Sequence, residues 1–323
     1  RCLAAEWSVW SGIGMGQRLG RIEALRQQGI APIPPETGVG ILEQLLRHKL
    51  PSVAVVLTGR FGELPTLQLD KPDLPFLRFL ERPKVFYPGV ELIVDSVLSS
   101  DTDPYVEEHV YHGERLFPAV MGLEAMAQAA MALSGSEDPP CFEDVKLSRP
   151  VVVPRNGKVT IRIAALQRKP GEVEVALRSE ESGFQVDHFR ATCRFALGGD
   201  RLRDSEPELK SDLANLKSKR VPLEPGRDLY EELLFHTGRF QRVKNYRLLR
   251  ARECVVQVEP DADAVWFGRY LPQQRVLGGT GVRDAAIHAI QACIPHARLL
   301  PVGVKRVVIE KIPCLLERVR TVG

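Results

Sequence analysis

Apolar and polar residues alternate in different rhythms along this chain, and the rhythm changes twice. AEWSVW (5–10) reads as a short strand, and QRLGRIEALRQQG as an amphipathic helix with a glycine stop at Gly29. IAPIPPETG is a proline-rich loop, VGILEQLLRHKL (39–50) a second helix and SVAVVLTG (52–59) a buried strand. This opening part is an α/β fragment with too few strands for a domain of its own. Residues 60–85, rich in proline, charge and leucine, read as a connector.

Beyond it, VELIVDSVL (90–98) alternates as a strand. PAVMGLEAMAQAAMAL follows, apolar almost all round and so predicted to be a buried helix. CFEDVKLSRPVVVP, KVTIRIAALQR, EVEVALRSE and DHFRATCRFAL then read as strands, which predicts a sheet wrapped on one helix, an α+β layer. The polar stretch 198–227 is a linker. After it the order recurs. DLYEELLFHTG is a short helix, YRLLRARECVVQVEP and DAVWFGRYL are strands, GVRDAAIHAIQACI (281–294) is a second apolar helix, and GVKRVVIEKIP starts another strand. The chain is a pseudo-duplicate in architecture, not in sequence identity.

Charge excludes one class of partner. The net charge of +3 comes without a basic stripe or interleaved aromatics, so no nucleic acid is expected. The six cysteines at 2, 141, 193, 254, 293 and 314 form no CxxC pair, which argues against a cysteine-bound zinc and for a reducing, cytoplasmic setting. No apolar run approaches the ~18–20 residues that span a bilayer. RCLAAEWSVW has no signal-peptide core, and a start without methionine suggests a piece of something longer.

GIGMG (12–16) imitates a dinucleotide fingerprint, but Gln17 stands where its last glycine belongs and Glu36 lies in a loop, so no nucleotide site is expected. His109 and His112 form an HxxH pair. It reads as part of a metal site lacking its other ligands, as two exposed loop histidines, or as an acid–base group ahead of the buried helix. Gly113 lets a ligand or backbone approach, and Pro118 suits a helix's first turn. Asp284 and His288 share one face of the second helix among alanines and isoleucines. Asp284 is then either an exposed helix-start charge or a desolvated acid with a raised pKa. Glu124 and Gln291, also polar in apolar helices, read as structural hydrogen-bonders.

Taken together, His109, Gly113 and Pro118 match HxxxGxxxxP, and Asp284 with His288 matches the aspartate that opens a second helix and is followed four residues later by His or Gln. LYEELLFHTGRF (229–240) is similar to the segment that begins a second repeat. In these motifs, over residues 85–323, the chain resembles the dehydratase domain of a polyketide synthase. EWSVWSGIGMGQRLGRIEALRQQGIAPIPPETGVGILEQLL resembles the C-terminal end of a ketoreductase domain. That domain order, with HVYHGERLFPAV and LLFHTGRFQRV, resembles the iterative type I synthases that build enediyne polyene cores. Two motifs depart from the family: GGTGVRD lacks the usual His-Pro, and HTGRFQRV replaces Gly-Tyr-x-Tyr-Gly-Pro. Both changes bear on the shape of the substrate tunnel.

The resemblance implies a double hot-dog fold, two sheets each wrapped on a long central helix, with a small N-terminal α/β remnant. Its expected parts are 1–75 (ketoreductase remnant and connector), 85–200 (first hot dog), 201–221 (linker) and 222–323 (second hot dog). It implies loss of water from a 3-hydroxyacyl chain on an acyl carrier protein, giving the 2-enoyl thioester. His109 would be the base. Asp284, protonated because burial lifts it from ~3.9, would be the acid. Gly113 and the start of the Pro118 helix would hold the oxyanion, His288 would position Asp284, and His112 would be a bystander. No cofactor or metal is implied. Ketoreductase and ketosynthase domains are the implied neighbours, and a homodimer the implied assembly. A product-template-like cyclase and an inactive scaffold of the same fold are the alternatives.

Overall fold

The computed structural model describes residues 2–27, 30–47, 53–60, 72–196, 220–230, 232–261, 264–309 and 316–320, which fall into two units, Arg1–Asp70 and Lys71–Gly323. In the smaller unit, β1 (Ala4–Trp7) leads to α1 (Gly14–Arg18), α2 (Ile22–Gln27) and α3 (Pro35–Arg47), and pairs in parallel with β2 (Ala54–Leu57). The single helix predicted over QRLGRIEALRQQG is two helices, parted where Gly20 takes φ 62°. Its expected stop at Gly29 lies outside the described residues. β2 alternates between exposed and half-buried, not buried as its apolar run suggested, because β1 is its one strand neighbour among the described residues. Trp10 packs against α3 at Gly38, where a Cβ would stand 2.3 Å from the indole.

The larger unit is built on an apolar helix. Its first strands are β3 (Arg82–Tyr87), β4 (Glu91–Leu98) and the short hairpin β5 (Val110–Tyr111) and β6 (Glu114–Leu116). The helix α4 (Ala119–Ser134) follows, capped by Gly135 in the left-handed region at φ 71°. Then come β7 (Cys141–Leu147), β8 (Val152–Val153), β9 (Val159–Lys169), β10 (Glu172–Ser179) and β11 (Phe189–Arg194). Strict alternation along β10 buries Val173, Val175 and Leu177 and turns Glu174 and Ala176 outward. β9 does the same with Val159, Ile161 and Ile163. These faces close on α4, whose Gly122 lets Phe189 come so near that a Cβ would stand 2.3 Å from the ring.

The second half holds α5 (Pro225–Asp228), β12 (Val243–Arg250), β13 (Glu253–Val258), α6 (Thr280–His288), β14 (Gly303–Val307) and β15 (Leu316–Arg320). β12, β13 and β15 form one sheet, packed on α6 and the 3-10 turn Ala289–Cys293 behind it. β14 leaves this half and pairs with β7, so the first sheet has seven strands in the order β14-β7-β11-β10-β9-β4-β3. The strand expected at DAVWFGRYL does not form. The N–H groups of Trp266 and Phe267 bond the Gln273 side chain instead of a neighbouring strand, and both rings are buried. The linker expected at 201–221 lies outside the described residues through 219.

Polar groups on the buried helices fasten loops. Glu124 accepts the N–H groups of Val276 (2.6 Å) and Leu277 (2.9 Å), just ahead of α6, and Gln128 accepts that of Phe79 at 3.0 Å. Gln291 accepts the Leu299 N–H at 2.7 Å and donates to the Ala297 carbonyl at 2.6 Å. Each replaces water that those backbone groups lost on burial.

Candidate active site

His109 ends the 3-10 turn Pro104–Glu108 and enters the β5–β6 hairpin. Its ring is buried, with Nδ1 3.0 Å from the Leu116 carbonyl oxygen. A carbonyl only accepts, so Nδ1 carries the proton and the Nε2 lone pair is left for chemistry. Burial pushes the ring's pKa below its ordinary value, against the opposing pull of Asp284 and the Leu116 carbonyl. The imidazole is therefore neutral at neutral pH.

Asp284 and His288 lie one turn apart on α6, both buried, with His288 Nδ1 3.0 Å from Asp284 Oδ2. The tautomer of His288 follows from the groups behind it. The Val243 N–H donates to the Tyr230 hydroxyl at 3.0 Å, and that hydroxyl lies 3.2 Å from His288 Nε2. Burial pushes the Tyr230 pKa far up, so its proton stays and is donated to Nε2. Nδ1 then carries the His288 proton and donates it to Asp284.

A third histidine joins them. The helix expected over DLYEELLFHTG stops at Asp228, and His236 is extended, in an antiparallel bridge with His109 itself. The His236 Nε2 lies 3.3 Å from Asp284 Oδ2. Its ring stacks on His288 at 4.0 Å and on Phe235 at 4.1 Å between centroids. Donor atoms of His109, His236 and Asp284 all lie within 4.8 Å of one another. The bridge is fastened by the Thr237 N–H on the Glu108 carbonyl (3.0 Å) and by the Arg239 N–H on the Glu108 carboxylate (2.7 Å). The sequence signal was Thr-Gly after the histidine, two poor helix formers, with Gly238 at φ 52°.

The expectation that burial raises Asp284 is corrected. Burial does push its pKa up, but the electrostatic pull of His236, the hydrogen bond from His288 and the nearby imidazoles of His288 and His109 outweigh it and hold the carboxyl down to about 2. Oδ2 faces both histidines, which leaves Oδ1 for a substrate.

The oxyanion role expected of Gly113 is corrected as well. Gly113 sits in the exposed turn of the β5–β6 hairpin at φ 82°, next to His112 at φ 49°, so the glycine is required by the turn. His112 is exposed there. Pro118 precedes α4 in an extended conformation and is buried. The Phe117 N–H is already bonded to the Val151 carbonyl, so Ala119 and Val120 supply the first unpaired N–H groups of the helix among the described residues.

The same three side chains are the group able to converge on a metal among the described residues. His236 Nε2 and Asp284 Oδ2 are 3.3 Å apart, and the donor atoms of the set all lie within 4.8 Å.

Burial also ties the site to stability. It is the largest influence on His109 and His236, and pushes both below 6.5, His236 well below. Below about pH 6.5 the unfolded chain takes up protons at these positions that the folded site refuses, so stability falls with pH from there. The urea midpoint should decline as pH drops from 7 to 5. A midpoint that is flat over that range would contradict the buried, neutral assignment.

Among described residues no helix is long and apolar enough to cross a membrane. No curated protein sequence matches the chain. Among the solved structures similar to it are three dehydratase domains. The dehydratase domain from the CurF module of curacin polyketide synthase is 20% identical, with a TM-score of 0.55 over 71% of this chain and 82% of that one. An inactive aspartate-to-asparagine mutant of the CurK dehydratase is 14% identical (TM-score 0.53; 71% and 80% covered). An inactive histidine-to-phenylalanine mutant of the same dehydratase is 15% identical (0.53; 71% and 81%). The larger unit thus has the double hot-dog fold of polyketide synthase dehydratase domains, and residues 86–180, which include His109 and all of α4, match the family model of the polyketide synthase dehydratase domain.

Proposed function

We propose that this chain removes water from a 3-hydroxyacyl thioester, carried on the phosphopantetheine of an acyl carrier protein, to give the 2-enoyl thioester. The observation that carries this reading is a buried neutral histidine facing a carboxylate across no more than 4.8 Å, one residue from each half of the fold. Two inactive mutants of the CurK dehydratase, one at an aspartate and one at a histidine, support the same pair of residue types.

The chemistry follows from the proton positions. His109 Nε2 takes the proton from the carbon next to the thioester. Charge then moves to the thioester oxygen, where the unpaired N–H groups at the start of α4 can meet it. Ionised Asp284 accepts the substrate hydroxyl's own hydrogen at Oδ1, which fixes the leaving oxygen, and its charge steadies the His109 imidazolium. The imidazolium returns its proton to that oxygen as the carbon–oxygen bond breaks. The double bond forms, water leaves, and the site regains its starting protonation without a cofactor. Asp284 serves here as an orienting carboxylate, in place of the protonated donor expected from the sequence.

The wording HVYHGERLFPAV and LLFHTGRFQRV, and an α/β unit ahead of the double hot dog, support an iterative type I synthase of the enediyne-polyene kind. In that setting Arg1–Asp70 is the end of a ketoreductase domain, and ketosynthase and carrier domains are neighbours. The test is incubation of the folded protein with synthetic 3-hydroxyacyl-pantetheine thioesters of several chain lengths. Loss of one water by mass, with an enoyl absorbance, is expected. No turnover at any length would sink the proposal.

A further inference from the structure

His236 is absorbed by neither motif that led to the site, yet it touches every member. Its backbone bridges His109, its ring stacks on His288, and its Nε2 lies 3.3 Å from Asp284 Oδ2. The other ring nitrogen, Nδ1, is buried and has no hydrogen-bond partner. A dry, unpaired N–H is less tolerable than an unpaired lone pair, so the ring's proton belongs on Nε2, the atom beside the carboxylate. Phe235 on one face and His288 on the other keep the ring from turning Nε2 away. The groups that face Asp284 are thus His109, His236 and His288, with the Tyr230 hydroxyl behind His288.

Resting on the dehydratase reading, we propose that His236 is a positioning residue for Asp284: with His288 it holds Oδ2 from two sides and aims Oδ1 at the substrate hydroxyl. Neither contact suffices alone. His288 reaches Oδ2 from one turn along the same helix and leaves the carboxylate free to swing about its own bond. His236 reaches it from the opposite strand segment and closes that freedom.

Three variants separate this role from simple packing. Phe at 236 keeps the stacked ring and removes Nε2. Asn keeps a polar side chain but places its amide where Nδ1 stands. Gln reaches the Nε2 position with an N–H donor. In His236→Phe and His236→Asn, Asp284 Oδ2 loses the polar group 3.3 Å away, and Oδ1 is no longer held toward the substrate hydroxyl. kcat at pH 7 should therefore fall about ten-fold, while the acidic limb of the profile, set by protonation of the His109 base, stays in place. KM should change little. His236→Gln should return kcat most of the way, with KM unchanged. Should the Phe form fail to fold, the Asn and Gln pair decides. Wild-type kcat in the Phe or Asn form, with the wild type turning over, overturns the positioning role and leaves the dehydratase reading standing. Absence of turnover in the wild type defeats that reading first.

Discussion

His109→Ala should leave a folded protein whose dehydration of a 3-hydroxyacyl thioester is about 10²–10⁴-fold slower than wild type, the range that a positioned general base contributes. The substitution removes the lone pair at Nε2 and, with it, the imidazolium that returns the proton to the leaving oxygen. Both halves of the elimination depend on the same ring, so the effect should lie toward the upper end. The fold should survive, because the backbone bond between the Leu116 N–H and the His109 carbonyl (3.0 Å) does not involve the side chain. One interaction is lost with it, the donation from Nδ1 to the Leu116 oxygen, a loss of about 1–3 kcal/mol if that carbonyl stays dry. Circular dichroism separates the two consequences, and a single-turnover assay by mass measures the first. Turnover within ten-fold of wild type would remove His109 from the mechanism.

How far the sequence speaks for this site depends on which physical signal each residue leaves. His109 and Pro118 were legible because a spaced motif runs straight into an almost wholly apolar helix, and such a helix must be buried. Asp284 and His288 were legible because positions i and i+4 share a face whatever the tertiary structure. What was missed involves contacts between segments far apart in the chain. His236 meets Asp284 48 residues along the chain and bridges His109 across 127. No local pattern encodes such a meeting, and the run LYEELL ahead of it has the spacing of a helix. The state of Asp284 failed for the same reason. Burial could be inferred from its alanine neighbours, but three imidazoles around it could not, and they reverse the sign of the shift.

The fold divides along similar lines. Strands with strict alternation, such as β9 and β10, stand where the period of two put them. Trp266 and Phe267 misled because large apolar side chains read as a strand, whereas a single glutamine, Gln273, supplies the partners that a neighbouring strand would have given. β14 was seen as a strand but not as a member of the first sheet. Register with β7, Val304 against Val145, is set by a partner more than 150 residues away. A repeated architecture also encourages each half to be closed on itself, and here one strand crosses.

A second large effect should come from a site remote from the chemistry. Arg78 and Asp103 are both fully buried, and the carboxylate accepts from Arg78 Nε (3.2 Å) and Nη2 (2.6 Å), from the Thr102 hydroxyl (2.7 Å) and from the Tyr105 hydroxyl (3.1 Å). The guanidinium also donates to Ser96 Oγ at 2.9 Å and to the Val97 carbonyl at 2.7 Å, and pairs with Glu81. Asp103→Ala keeps the guanidinium in the core and removes its fully buried countercharge, leaving the partly exposed Glu81 as the remaining one, which should lower stability by about 3–5 kcal/mol. Two hydroxyls lose their acceptor at the same time. For a domain whose whole stability is of order 5–15 kcal/mol, that loss brings the folded state near its limit. Replacing both partners together, as Arg78→Met with Asp103→Leu, should be far milder, because no charge is then left buried alone. Urea unfolding of the two variants tests the point. A single variant no less stable than the double one would mean that the isolated charge finds another partner or water. Asp103 starts the 3-10 turn that ends on His109. The single variant should therefore also blur the position of the base, and turnover should fall before the protein unfolds.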